Sequence, residues 1–178
     1  MYRLMITNVK KSKYRSVIKY AIVLIFITVF GSLFYINLNG YQVIPKTIMQ
    51  HIAYQVYIPI KDSSLWKISK ESIKYDGNQN LLSMTIMSTD NQVYITEQNT
   101  PAIFTDVPQY YPALLDKLNQ YAAIQTNLGE VALTHLKELN GGQTAVYNLH
   151  GTLMFARPKN NLSNTEWQQL FNSLIVIK

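Results

Sequence analysis

At 178 residues the chain has room for one ordinary domain and an appended segment. Its formal charge of +6 points to nucleic acid until it is mapped: Arg3, Lys10, Lys11, Lys13, Arg15 and Lys19 all precede residue 20 without an acid among them, and the other ten Lys and Arg balance all ten Asp and Glu. A neutral body lacks the basic footprint that phosphate recognition needs, so nucleic acid is excluded as a partner, and the lack of cysteine excludes a disulfide framework.

Residues 1–19 form a basic tail, read as cytoplasmic. The run Tyr20 to Ile36, YAIVLIFITVFGSLFYI, carries no charge over 17 residues. At ~1.5 Å per residue it spans about 26 Å, a little short of a ~30 Å hydrocarbon core, and Lys19 can snorkel to lengthen it. A buried core helix is the alternative, but this run is apolar around its whole circumference and follows the charges Lys10, Lys11, Lys13, Arg15 and Lys19 directly. A cleaved signal peptide would have a shorter apolar core and a small-x-small site, which Tyr35-Ile36-Asn37-Leu38-Asn39-Gly40 does not supply. The expectation is an uncleaved signal anchor, N-terminus inside and the rest extracytoplasmic. An exported domain without disulfides is ordinary for a bacterial surface.

Residues 37–53 read as a linker or short stalk helix, with Pro45 at a first helical position and Ile44, Ile48 and Ile52 on one face. The body is expected over 54–178. Tyr54 to Ile60 is extended, and Pro59 confines it to an edge. A meander of Trp66–Tyr75, Leu81–Ser88 and Val93–Gln98 follows, with Leu82, Met84 and Ile86 alternating toward one buried side. Pro112 to Tyr121 reads as a helix on the spacing of Leu114, Leu115, Leu118 and Tyr121. A second meander comprises Ala122–Thr126, Glu130–Leu139, Gln143–His150 and Thr152–Arg157, with Gly141-Gly142 as a turn. Ser163-Asn-Thr-Glu166 is a capping box, Leu162 and Trp167 fit a hydrophobic staple, and Trp167, Leu170, Phe171 and Leu174 form the stripe of a final helix. That box also accounts for the sequon Asn161-Leu162-Ser163, which matters only in a eukaryotic source. The predicted fold is α+β: an N-terminal transmembrane helix, then an antiparallel sheet of six or seven strands covered on one side by two helices.

Chemistry is sparse. Glu97 is the one acid that ends an apolar strand, but Asp90 lies ~23 Å away along that strand and Asp106 beyond a turn, so no paired-carboxylate site is in view. His51, His135 and His150 stand apart from one another and from acids at metal-ligand spacing; His135 alternates with Val131 and Leu133 as a strand histidine does. No nucleophile elbow or phosphate loop occurs, and no cofactor is implied. Glu97 shares parity with Val93 and Ile95, and a carboxylate there is expected to clasp nearby amides through charge-assisted bonds. The chain has 13 tyrosines, of which Tyr54, Tyr57, Tyr110 and Tyr111 are candidates for a recognition surface; the alternative is a tyrosine-rich sheet face.

The order of motifs resembles the small membrane-anchored ectodomain proteins of unknown function in Saccharibacteria-type bacteria. The residues that carry it are the basic tail and anchor, Ile44-Pro45 with Ile48, Val56-Tyr57-Ile58-Pro59, Thr96-Glu97-Gln98, Asn127-Leu128-Gly129, and Leu162-Ser163 opening a last helix that ends near Ser173-Leu174. The chain departs from the group in having Gly151-Thr152-Leu153 where Thr-Trp is common. The resemblance implies location and layout, and no catalytic residue. The expected function is a non-enzymatic binding or structural module of the cell envelope, anchored in the membrane by its N-terminal helix and contacting a protein, lipid or wall polymer. The alternatives are a carrier or sensor holding an apolar ligand between sheet and last helix, and a hydrolase using Glu97.

Overall fold

The computed structural model describes residues 43–60, 63, 65–136 and 142–178. The basic tail and the span over 20–36 lie outside the described residues, as does most of the turn at Gly141-Gly142. Among the described residues no helix is long and apolar enough to cross a membrane.

The elements in chain order are α1 (Lys46–Met49), β1 (Tyr57–Pro59), β2 (Lys67–Asp76), β3 (Leu81–Met87), β4 (Gln92–Asn99), α2 (Ala102–Asp106), α3 (Tyr110–Lys117), β5 (Gln120–Thr126), β6 (Gly129–Leu136), β7 (Gly142–Leu149), β8 (Thr152–Pro158), α4 (Asn164–Asn172) and β9 (Leu174–Val176). The fold is α+β, mostly antiparallel sheet with a few helices. Seven strands form one sheet in the order β2-β3-β4-β8-β7-β6-β5, and β1 pairs with β9 in a separate ribbon. Two meanders are therefore joined where β8 returns beside β4.

Register decides which residues meet. The pairs Leu82↔Glu97↔Met154↔Tyr147 and Met84↔Ile95↔Ala156↔Ala145 run straight across four strands, so their side chains share one face. All eight are fully buried. That face carries α4 and the β1–β9 ribbon: the Tyr147 ring lies 6.3 Å from Phe171 of α4 and 5.4 Å from Tyr57 of β1, centre to centre.

The opposite face has its own cover. Ala132, Val146 and Leu153 are buried there, with Phe104, Tyr111, Leu115 and Leu118 of the α2–α3 region packed on them. The expectation of two helices on one side is thus corrected: α3 and α4 lie on opposite faces. The reason is legible in burial, since β6 and β7 each hold four consecutive buried residues, Val131–Thr134 and Thr144–Tyr147. A strand buried at every position has a layer on each side. Over β2–β4 the second face stays open, with Tyr94 and Met87 exposed.

Three boundaries also shift. The helix over 112–121 ends at Lys117, because Asn119 takes a left-handed φ of 52° that terminates it. Tyr121 instead sits in β5, exposed and stacked on His135 at 4.2 Å. The compact unit starts at Val43, not Tyr54, since Ile44 and Ile52 are buried in the body. The final helix matches its reading in detail: Ser163 Oγ accepts from the Glu166 amide at 3.3 Å, and Glu166 Oε2 accepts from the Ser163 amide at 2.8 Å. Trp167, Leu170 and Phe171 are its buried stripe, while Leu174 opens β9 instead of ending the helix.

Candidate functional site

Glu97 is fully buried, cross-strand from Leu82 on one side and Met154 on the other. Strand parity turns it inward, and β1 crosses above it. The Tyr57 amide donates to both carboxylate oxygens, at 3.3 Å to Oε1 and 3.2 Å to Oε2. These are long for an ionised acceptor, for which about 2.7–2.9 Å is usual. Loss of water pushes the Glu97 carboxyl well above the usual carboxylate range, and the Tyr57 amide opposes that only in part. Glu97 joins β1 to the sheet as expected of a clasp, but through a shared, weak bond and not a strong charge-assisted one.

Tyr54 and Tyr57 are not surface residues, which corrects their place in a recognition patch. Tyr54 is buried because its hydroxyl bridges the two strands: it donates to the Glu97 carbonyl at 2.7 Å and accepts from the Leu82 amide at 3.1 Å. Tyr57 is fully buried, its ring edge-on to Tyr147 and its hydroxyl donating to Gln55 Oε1 at 3.0 Å. Burial raises the pKa of both phenols. Tyr110 is exposed on α3, and Tyr111 is half-buried against Phe104 at 5.7 Å with its phenol raised to about 12 by desolvation. The four tyrosines sit on opposite faces of the sheet and form no common patch.

Under α4, where an apolar ligand was one expectation, the rings of Trp167, Phe171 and Tyr147 pack on each other, at 6.2 Å and 6.3 Å between centres. Among the described residues no three His, Asp or Glu come together as a metal site.

Besides a hollow of about 300 Å³ lined by Met87–Gln92, Lys159 and Asn160, a concave surface lies at one end of the sheet, where five chain segments meet. Two hollows of about 220 and 290 Å³ open there and share Gln55 and His150 in their walls. The first is bounded by Tyr54 and Asn99, the second by Asn127, Tyr57 and Tyr147. The walls are tied together: Thr152 Oγ1 donates to the Gln55 carbonyl at 2.7 Å, the Thr100 amide to the Gly151 carbonyl at 2.9 Å, and the Tyr147 hydroxyl to the Leu128 carbonyl at 3.2 Å. Lys178 closes one side by donating its Nζ to the Met49 carbonyl at 2.7 Å and to that of Ile52.

Sequence reasoning named Tyr54, Tyr57 and His150 singly but did not bring them together with Gln55, Asn99 and Asn127, because these segments meet only in the fold. His150-Gly151 stands as a two-residue loop between β7 and β8, and both residues have positive φ, 52° and 79°. Such loops favour Asn-Gly, and histidine is, with Asn and Asp, among the residues that enter the left-handed region most readily. No family model matches this sequence, and no curated protein or solved structure matches it.

Proposed function

We propose that the protein is a single-pass, membrane-anchored binding or structural module of the bacterial cell envelope, with no catalysis. The observation that carries this reading is the uncharged run over 20–36 set directly behind six positive charges, ahead of a body whose formal charge is zero. Positive charge retained on the cytoplasmic side places the α+β domain outside. The absence of cysteine and the resemblance to Saccharibacteria-type ectodomains support a bacterial envelope. The burial of Glu97, bonded to a backbone amide, supports a structural use of the most conspicuous acid.

The test is crosslinking in intact cells through a photoreactive residue at Tyr110, which is exposed on the body. A discrete adduct that forms in intact cells and disappears when residues 1–36 are deleted is the expected result. Adduct formation independent of the anchor, or none at any exposed position, would contradict the reading.

A further inference from the structure

We propose that the β1–β9 ribbon is a proton-operated latch: it lies closed on the sheet while Glu97 carries its proton and lifts as Glu97 ionises. The inference does not depend on the envelope reading.

The ribbon depends on what lies beneath it. It is three residue pairs long and shares no ladder with the seven-stranded sheet. A two-stranded piece of that size is not stable by itself. Four polar ties hold it and the segment leading into it. The Tyr57 amide meets the Glu97 carboxylate, and the Tyr54 hydroxyl bridges the Glu97 carbonyl and the Leu82 amide. Thr152 Oγ1 donates to the Gln55 carbonyl, and the Tyr147 hydroxyl to that of Tyr57. Of these ties, only the first involves a group that titrates below the phenol range.

The surroundings of Glu97 make its proton decisive. In its row across the sheet stand Tyr75, Leu82, Met154 and Tyr147, on β2, β3, β8 and β7. From above come Tyr57 of β1 and Tyr54. These phenols are its titratable neighbours, and phenols are uncharged near neutral pH. The ionic side chains of β2, Arg157 of β8 and Glu166 of α4 are exposed to solvent, as are His51, His150 and Lys178. A buried carboxylate stays ionised when two or three amides hold it, whereas Glu97 shares a single amide between both oxygens. Its neutral form fits the site, and its anion does not.

The same geometry decides where relief comes from. Glu97 is paired to Leu82 of β3 and Met154 of β8, so the sheet cannot part around it without losing both ladders. On the remaining side its cover is β1. Hollows of about 220 and 290 Å³ reach Tyr54 on one side, and Tyr57 and Tyr147 on the other. Lifting the ribbon is therefore the smallest movement that hydrates the anion. Loss of water holds the Glu97 carboxyl well above the usual carboxylate range, so the latch is closed in acid and opens as pH rises.

The test is hydrogen exchange on the full chain in phosphocholine micelles, from about pH 5 to pH 9, corrected for the intrinsic pH dependence of exchange. In the wild type, protection over residues 56–60 and 174–177 is expected to fall by up to about tenfold per pH unit as Glu97 ionises, while protection over β6 and β7 holds. Glu97→Gln cannot ionise and keeps an oxygen for the Tyr57 amide, so its ribbon should stay protected throughout. The carboxyl carbon resonance of Glu97 in the wild type should titrate with the same midpoint as the ribbon, a readout that needs no variant. Ribbon protection that ignores pH, or a loss shared equally by β6 and β7, would overturn the proposal. So would a Glu97 midpoint apart from that of the ribbon, or the same pH dependence in Glu97→Gln, which would assign it to His51 or His150.

Discussion

Tyr57 and Glu97, forty positions apart, are joined by one amide shared between both oxygens of a fully buried carboxylate. This bond ties the β1–β9 ribbon to the main sheet, and it places an acid in a setting of Leu82, Met154 and Ile95. A charge there has one weak donor to replace its lost water.

The first prediction concerns pH. The folded protein holds Glu97 well above its unfolded value of about 4.3, so the native state binds the proton more tightly than the unfolded chain. Stability from this group is therefore fully present below that value and is lost as pH rises through the raised folded one. Glu97→Gln keeps an oxygen for the Tyr57 amide and removes the titration. Urea unfolding at pH 4.5 and 7.5 should show the variant gaining on the wild type as pH rises. Glu166, lowered by its bonds to Ser163, has the opposite sign: its contribution is present above its unfolded value and fades in acid.

Tyr54→Phe removes a hydroxyl that serves the Leu82 amide and the Glu97 carbonyl at once. The phenyl ring still fills the space, so the loss isolates the hydrogen bonds. Unfolding free energy should drop by about 1–3 kcal/mol, as expected when buried polar groups lose a partner. A change within error would mean that the strands close up without the hydroxyl.

How much of this was visible beforehand differs by feature. The alternation of Leu82, Met84 and Ile86, and of Val93, Ile95 and Glu97, fixes side-chain direction without reference to any other strand, so the inward aim of Glu97 was readable. The capping box was readable for the same reason, because Ser163 and Glu166 satisfy each other within one turn. Strand β9 was not, since three residues directly after a helix carry no period of their own. Nor was the burial of Tyr54 and Tyr57, which depends on β1 crossing above Glu97 of β4. The opposite placement of α3 and α4 was hidden because burial of β6 and β7 on both faces shows only after the strands are paired. The hollows at the sheet end join residues from five distant segments, which meet only in the fold.

Gly129 and Gly77 form a matched pair for testing backbone demands. Gly129 has φ of 122°, and a β-carbon there would stand 2.5 Å from Leu149 Cδ1. Gly129→Ala should destabilise by about 1–3 kcal/mol, most of it backbone strain, because the Leu149 tip can shift. A β-carbon on Gly77 meets only Tyr75 at 3.8 Å, so Gly77→Ala should stay within about 0.5 kcal/mol of the parent. Thermal melts of the two variants side by side check the contrast.

Ser163→Ala deletes the oxygen that receives the Glu166 amide at the start of α4. A lost N-cap should cost about 1 kcal/mol. Ser163→Asp should restore most of it, since aspartate accepts from the same amide. Circular dichroism melts would separate this cap effect from any wider disturbance, which Asp would not repair.

The most direct measurement of the central claim, an anchored chain with its body outside the membrane, uses the fact that the protein has no cysteine. Single substitutions Lys13→Cys and Tyr110→Cys are treated with a membrane-impermeant maleimide in intact cells and again after permeabilisation. Tyr110→Cys should label in intact cells and Lys13→Cys only after permeabilisation. Labelling of Lys13→Cys in intact cells, or protection of Tyr110→Cys until the membrane is opened, would contradict the account.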